Sequence, residues 1–482
     1  MKLPEIPKLL LVYPPITKFE RYSSAIGASG GRQIPLGIYY LAAYIRKHGY
    51  ATDVVDAEAF DFDNQKIIRF IQSHHFNILG ISATTVAFHR ALKLAEKVKA
   101  AVPKTIVIIG GPHVSSQPQH PLQFGAFDYA VRNEGEQTLL DLLRSFQDRE
   151  EVGHIPGLVF RKENEISVNP KREYFAELDA LPFPAYDLIP DMTRYTPPPC
   201  NYKKSPVANI ITSRGCPHLC TFCDNNTFGR KVRYRSAENI AAEIEFLMNN
   251  HGVKEIAFVD DTFTLQKKRI YDLFALTRAK GLRFPWTCMA HVNTVDEQLL
   301  QFMNDNGCWH ISFGIESGNT EILKIIRKNI SLQAIEDVIT ICRRIGILTK
   351  GFFIVGHPKE TAETIDDSIK LATRLKLDDV VVTINTPIPG SEQYRQADKF
   401  GTMDISSWSK FNYWNPVFVP RGITRDTLLA KHKQFYRKFY IRPHIIWRYI
   451  KSFCSTTGIQ RMLNILSSSR FLIPSWPSRG KP

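Results

Sequence analysis

Short apolar runs alternate with longer amphipathic stretches through the first 148 residues. Residues 9–13 (Leu-Leu-Leu-Val-Tyr) form an apolar run stopped by Pro14 and Pro15, and 36–48 repeats its apolar positions at helical spacing up to Gly49. Segments 52–56, 78–82, 105–109 and 129–131 read as further strands, and 65–73, 87–101 and 136–146 as helices. Strands separated by single helices predict a doubly wound parallel sheet in an α/β domain spanning 1–148. A second series fills 206–395, with strands at 208–212, 255–259, 286–289, 311–315, 351–355 and 380–384 and helical patterns such as 241–248 between them. Six such repeats predict a partial (βα)6 TIM-like barrel with its chemistry at the strand C-termini. Between the two, 149–205 is expected to be a linker. It holds a small hairpin, 159–161 against 166–168, and a proline-rich connector containing Pro182, Pro184, Pro190 and Pro197 to Pro199. Residues 396–482 read as a basic, aromatic-rich helical C-terminal extension.

Composition narrows the class without choosing a chemistry. The 482 residues are 44% hydrophobic and 23% charged, the profile of a globular protein with full cores in two to four domains. Eight cysteines form no regular framework and none precedes Cys200, so a disulfide scaffold is excluded and a reducing, cytoplasmic setting is expected. The start Met1-Lys2-Leu3-Pro4 lacks a signal-peptide pattern, and no uncharged apolar run of about 18 residues suggests a spanning helix. Charge is uneven. From Arg421 onward 13 Lys and Arg face one acid, Asp426, so this stretch carries +12 of the chain's net +15. Its aromatics alternate with the basic residues, which suits a helix lying on a membrane surface as well as one packing on the barrel. Single-stranded nucleic acid is a third use, without a recognisable RNA module to support it.

The chemistry concentrates in Gly215-Cys216-Pro217-His218-Leu219-Cys220-Thr221-Phe222-Cys223. A C-x3-C-x2-C spacing offers three thiolates and no evident fourth, whereas structural zinc closes all four positions. A three-ligand set suits an iron–sulfur cluster with one iron open to a small molecule. The alternative is a zinc knuckle completed by His218 or Cys200. His218 lies between two of the cysteines at a cramped spacing, and Cys200 sits behind a proline-rich turn.

The cysteine run, with Phe222 before its last member and an apolar strand before it, resembles the cluster motif of the radical S-adenosylmethionine (SAM) superfamily. That resemblance implies a 4Fe-4S cluster on Cys216, Cys220 and Cys223, with SAM on the open iron, cleaved reductively to a 5′-deoxyadenosyl radical. It also implies an electron donor such as flavodoxin or ferredoxin. Residues after the barrel strands then become candidate SAM contacts: Phe222, Asp260, Asp261, Glu316, Ser317, Gly356 and Asn385. Gly314-Ile315-Glu316-Ser317-Gly318 matches the family closely. Val259-Asp260-Asp261 keeps a carboxylate where relatives carry a Gly-Gly-Glu-like element, and His291 stands where many have Arg. Adjacent carboxylates are equally at home as loop residues or helix caps.

In the first domain, ligands are expected at the carboxyl ends of the strands. The loops there hold Ser82 and Thr84; Gly110, Gly111, His113 and Val114; and Asn133, Glu134, Gly135 and Glu136. Their strings resemble the cobalamin-binding domain of one large radical SAM subgroup, which implies cobalamin at these ten positions. No Asp-x-His-x-x-Gly occurs, so no lower cobalt ligand is implied, and taken alone His113 reads as a packing residue. Phe439-Tyr440-Ile441-Arg442-Pro443 resembles the extension of the group containing anaerobic magnesium-protoporphyrin monomethyl ester cyclase and the hopanoid-modifying enzymes. The resemblance implies methyl transfer to an unactivated carbon of a large apolar or natural-product substrate, lipid-like in those relatives. Cyclisation or rearrangement is the alternative, and a non-catalytic zinc protein binding nucleic acid is the reading from another class. No side chain is singled out as catalytic.

Overall fold

The apolar runs of the first domain are buried on both faces, which is why they read as continuous rather than alternating. The structure is a computed structural model that describes residues 7–26, 30–198, 201–443 and 445–447. Five parallel strands, β1 (Lys8–Tyr13), β2 (Ala51–Asp56), β3 (Ile78–Ser82), β4 (Ile106–Gly110) and β5 (Tyr129–Val131), lie in the order β2-β1-β3-β4-β5. The order reverses beside β1, so the crevice between the carboxyl ends of β1 and β3 is the topological switch point. The predicted hairpin exists as β6 (Leu158–Lys162) and β7 (Glu165–Val168). It does not stand apart in a linker, because Tyr129 pairs antiparallel with Phe160 and the sheet grows to seven strands.

The second domain is a six-stranded parallel sheet of β8 (Val207–Ile210), β11 (Glu255–Phe258), β12 (Trp286–Ala290), β13 (Cys308–Glu316), β14 (Leu348–Val355) and β15 (Asp379–Ile384). Two short strands, β9 (Ser213–Arg214) and β10 (Arg233–Tyr234), pair antiparallel and bracket the cysteine loop. The first barrel strand ends at Ile210 instead of 212 for a local reason. The Asp260 carboxylate takes the backbone N–H groups of Thr212 and Ser213 and both their hydroxyls, pulling the chain out of the ladder.

The two domains share one apolar core, in which Tyr39, Tyr186 and Tyr195 bridge from the first domain and the connector towards Ala208 and Ile244. Polar contacts fix the register of this seam. Asn209 on β8 accepts from Ile34 N at 2.9 Å and donates to Ile34 O at 3.0 Å, and Tyr186 Oη donates to Glu243 at 2.7 Å.

The C-terminal helix Arg425–Tyr440 uses its aromatics for packing. Phe435 meets Phe353 of β14 at 5.0 Å between ring centres, and Tyr436 Oη lies 3.0 Å from Val382 O of β15. Arg425, Arg437 and Lys438 are exposed, while Lys431 pairs with Asp366 at 2.6 Å. The basic stretch beyond 447, Cys200 and Cys454 fall outside the described residues. Among the described residues no helix is long and apolar enough to cross a membrane.

Candidate functional site

The cysteine loop leaves β9 through Gly215, whose φ of +95° and a Cβ that would stand 2.6 Å from Lys231 O both demand glycine. Cys216, Cys220 and Cys223 are free thiols. Burial pushes Cys223 up to about 12, and Asp261, Cys216 and Cys220 push in the same direction. Burial also raises Cys216 and Cys220. Three neighbouring thiols that resist ionisation alone are a donor set awaiting positive charge. His218 is turned away from such a role: its ring stacks on His291 at 4.3 Å and 14°. Around the bay, His218 Nε2, His291 Nε2 and both ring nitrogens of His357 are buried without hydrogen-bond partners, so the residues present fit a bound polar cofactor.

The strand-end candidates divide. Asp261 borders the central cavity, and burial together with Asp260 raises its pKa. Asp260 does not face that space: fully buried, it spends its oxygens on Thr212 and Ser213, so its role is to shape the loop rather than to contact SAM. Asp260→Ala should strand two buried N–H donors and cost about 2–4 kcal/mol, read as a lower urea midpoint with poorer iron retention. Glu316 sits at the end of β13 with φ +66° and pairs with Lys328 Nζ at 3.0 Å. The carboxylate and ammonium tips of that pair lie over the Gly314 Cα, so a larger residue there would displace them. Ser317 also stands apart from the expected SAM contacts. Completely buried, it binds Ser368 and Asn319 behind the strand, away from the bay. Gly356 N donates to Glu360, whose carboxyl burial raises to about 8. Asn385 Nδ2 donates to Gly356 O and Gln393 Oε1, at 3.1 and 3.0 Å. Phe222 faces His357 at 5.7 Å, and burial lowers that imidazole to about 3.

A cavity of about 490 Å3 joins this bay to the switch point of the first sheet. One wall carries Cys223, Asp261, Arg214 and Ile388; the other carries Ser82, Gly110, Gly111, Asn133, Glu134, Gly135 and Glu136. Apolar side chains such as Leu11, Ile38 and Leu41 run beneath it. The cavity therefore also fits a second bound group against the glycine-rich loops. Three expected residues are not part of it. Val114 is fully buried in the core on the far side of the sheet, and Thr84 is outside the lining. His113, completely buried, points into an aromatic cluster, its Nε2 3.0 Å from His120 Nδ1 and its ring against Phe88 and Trp408. Burial first, then His120, lowers it to about 3, as befits a packing residue.

Several residues here carried no motif. Arg214 bonds Glu134 at 3.0 Å and Glu136 at 2.7 Å, and Arg233 bonds Glu134 at 2.8 Å, all four side chains being buried. Burial opposes charge on Arg214, but Glu136 and Glu134 override it and hold its pKa above the ordinary value. Ser116 and Asn133 latch the loop exit through Asp224 and Asn226. Tyr413, a bulky residue at φ +66°, is another. Its carbonyl is held by Ile384 N and the preceding Asn412 by Glu20 O, and Cys223 and Asp224 add to burial in raising its phenol to about 12. Single residues whose partners lie in distant segments, such as Arg214 and Glu136 at 78 positions, leave no local signal.

Fold and site together define a two-cofactor scaffold, in which a three-thiol bay on a partial barrel faces the switch point of a flavodoxin-like sheet across one cavity. Residues 210–372 match the Radical SAM superfamily and 22–143 the B12 binding domain. An uncharacterized methyltransferase of Pyrococcus horikoshii is 33% identical over 444 residues, 92% of this chain and 94% of that one. The chain thus belongs to the radical SAM superfamily, among members with an N-terminal B12-binding domain, and its cofactors are a 4Fe-4S cluster, SAM and cobalamin. The anaerobic magnesium-protoporphyrin IX monomethyl ester cyclase of Cereibacter sphaeroides is 27% identical, covering 87% of this chain and 70% of its own. The fold matches the radical SAM methyltransferase TsrM of Kitasatospora setae with a TM-score of 0.70 at 14% identity, over 97% of this chain and 99% of that one. Enzymes of this superfamily need a reductant and a small-molecule substrate.

Proposed function

We propose that this chain is a cobalamin-dependent radical SAM methyltransferase acting on an unactivated carbon of a large apolar or natural-product substrate. The observation that carries the reading is the single cavity with Cys223 and Asp261 on one wall and Gly110, Gly111 and Asn133 on the other. A substrate placed there is reachable from both sides. The methyltransferase named among its relatives supports the same reaction class. When bound, the cluster with SAM supplies hydrogen abstraction and cobalamin supplies the methyl group.

The chain's own residues bind, orient and exclude water. Cys216, Cys220 and Cys223 hold the cluster. Phe222, Asp261, Glu316 with Lys328, Gly356 and Asn385 shape the SAM bay. Ser82, Gly110, Gly111, Asn133 and Gly135 carry the corrin, while Glu134 and Glu136 act through Arg214. Leu36, Ile38, Ile211 and Ile388 give the cavity its apolar lining, which suits a lipid-like substrate and keeps water from the reacting carbon. A flavodoxin or ferredoxin is the proposed electron donor in the cytoplasm.

Anaerobic turnover with cobalamin, SAM and a reductant should yield both S-adenosylhomocysteine and 5′-deoxyadenosine. Active enzyme that forms only the latter would instead be a cyclase or rearrangement enzyme. Gly80→Leu should abolish cobalamin uptake while iron content stays normal, because a Cβ at Gly80 already stands 2.7 Å from Leu11 Cδ2 on the cavity floor. The visible cobalamin spectrum after desalting reads this out. The proposed membrane contact of the basic segment predicts flotation with anionic liposomes, lost when the chain is cut after Trp447.

A further inference from the structure

A second cavity, of about 620 Å3, opens at the carboxyl ends of β1 and β2, beside the central one but outside it. Its walls come from the segment after β1, the segment after β2 and the helix Phe88–Ala101. Three of its side chains carry buried polar atoms with no hydrogen-bond partner: Arg32 Nε, Glu58 Oε1 and Asn64 Oδ1. Native proteins rarely leave such atoms unpaired, and here they share one polar space.

The charges around this space do not cancel. Each acid in the wall is already engaged: Asp61 with Arg194, Asp63 as the cap accepting Lys66 N at 2.8 Å, and Glu58 with Arg21. Arg90 is matched by Glu20 at 2.6 Å. Lys18, Lys93 and Lys97 line the cavity without an ion pair within 4 Å among the described residues, and Arg32 comes no nearer than 3.6 Å to the Asp61 that Arg194 holds. Burial and then Arg32 lower the pKa of Lys18, against the pull of Glu58. Burial raises Glu58 to about 7 against the pull of Arg21, Arg32 and Lys18.

We infer that this cavity binds a phosphorylated group, held by Lys18, Arg32, Lys93 and Lys97, with Asn64 and Glu58 contacting what the phosphate is attached to. Guanidinium and ammonium groups around one anion form the charge-assisted set that phosphate selects. The site would anchor the remote end of a substrate or hold a free phosphate, and nothing in the central cavity depends on it.

Calorimetric titration of the cobalamin-loaded full chain, under anaerobic conditions, tests this with inorganic pyrophosphate and with ADP. Each should bind once per chain. Lys93→Gln/Lys97→Gln, on the exposed face of a helix, should weaken both by roughly tenfold or more. Lys104→Gln/Lys171→Gln, which removes the same charge outside the cavity, should change neither by more than about twofold. Arg32→Gln should weaken binding as the lysine pair does, with retained cobalamin reporting that it folds. Tighter binding of ADP than of pyrophosphate identifies an organic phosphate as the ligand, and equal affinities a free anion. Absence of saturable binding, or equal weakening by the control pair, overturns the site.

Discussion

Cys223→Ala should give a folded, cobalamin-loaded protein that carries no intact 4Fe-4S cluster and cleaves no SAM. The same holds for Cys216→Ala and Cys220→Ala. In the proposed assignment these three thiols are the cluster's whole protein donor set, so each replacement removes a third of it. Each thiol is also raised by burial and by its neighbours, so the remaining pair gains no affinity by ionising more easily. Losing a partner behind a metal ligand costs about 10–100-fold, so losing the ligand itself should exceed about 100-fold in 5′-deoxyadenosine formation. The fold should survive because Cys223 opens onto the cavity and packs in no core. Iron and sulfide per chain, absorbance near 400 nm and the retained cobalamin spectrum separate these effects. Cys308→Ala is the control. Fully buried as the first residue of β13, opposite Trp286, it should cost about 1–2 kcal/mol of stability and leave iron content unchanged. Full iron content in Cys223→Ala would overturn the assignment.

The contrast between those cysteines shows what could be read from the chain and what could not. Strands and helices of both domains follow apolar periodicity, because each strand is buried on two faces and each helix on one. Chemistry at contiguous positions was legible too: the cysteine run, the Gly110-Gly111 loop and Gly314-Ile315-Glu316 each carry their meaning in adjacent residues. Orientation was not. His113 and Gly111 are two positions apart, yet Gly111 lines the cavity while His113 turns into a cluster completed by Trp408, almost 300 residues later. Asp260 and Asp261 are neighbours on alternate sides of the chain, one capturing Thr212 and Ser213 and the other facing the cavity. Which member of a pair points inward is decided by the residue it meets, and that residue lies in another segment.

The ion cluster between the domains carries that point to its largest energetic consequence. Arg214→Gln should loosen the docking of the two domains by about 3–5 kcal/mol, because Glu134 and Glu136 would then be buried with only Arg233 left to balance them. Tyr40 and Phe228 also lose the guanidinium that lies 5.3 and 5.2 Å from their ring centres. Arg214 stands two residues before Cys216, and both glutamates stand in the loop proposed to carry the corrin. The variant should therefore release cobalamin more readily and separate hydrogen abstraction from methyl delivery, with 5′-deoxyadenosine forming in excess of methylated product. A merely structural defect would lower both products together. The quadruple replacement Arg214→Leu/Arg233→Leu/Glu134→Gln/Glu136→Gln removes the four charges as a set and should recover much of the lost urea midpoint, since uncharged partners strand no buried ion. It should not recover the coupling of the two products, because only the ion pairs fix the cysteine loop against the corrin-side loop at a defined spacing. Recovery of both would reduce the cluster to packing, and recovery of neither would mean that Arg214 acts through some contact other than the two glutamates.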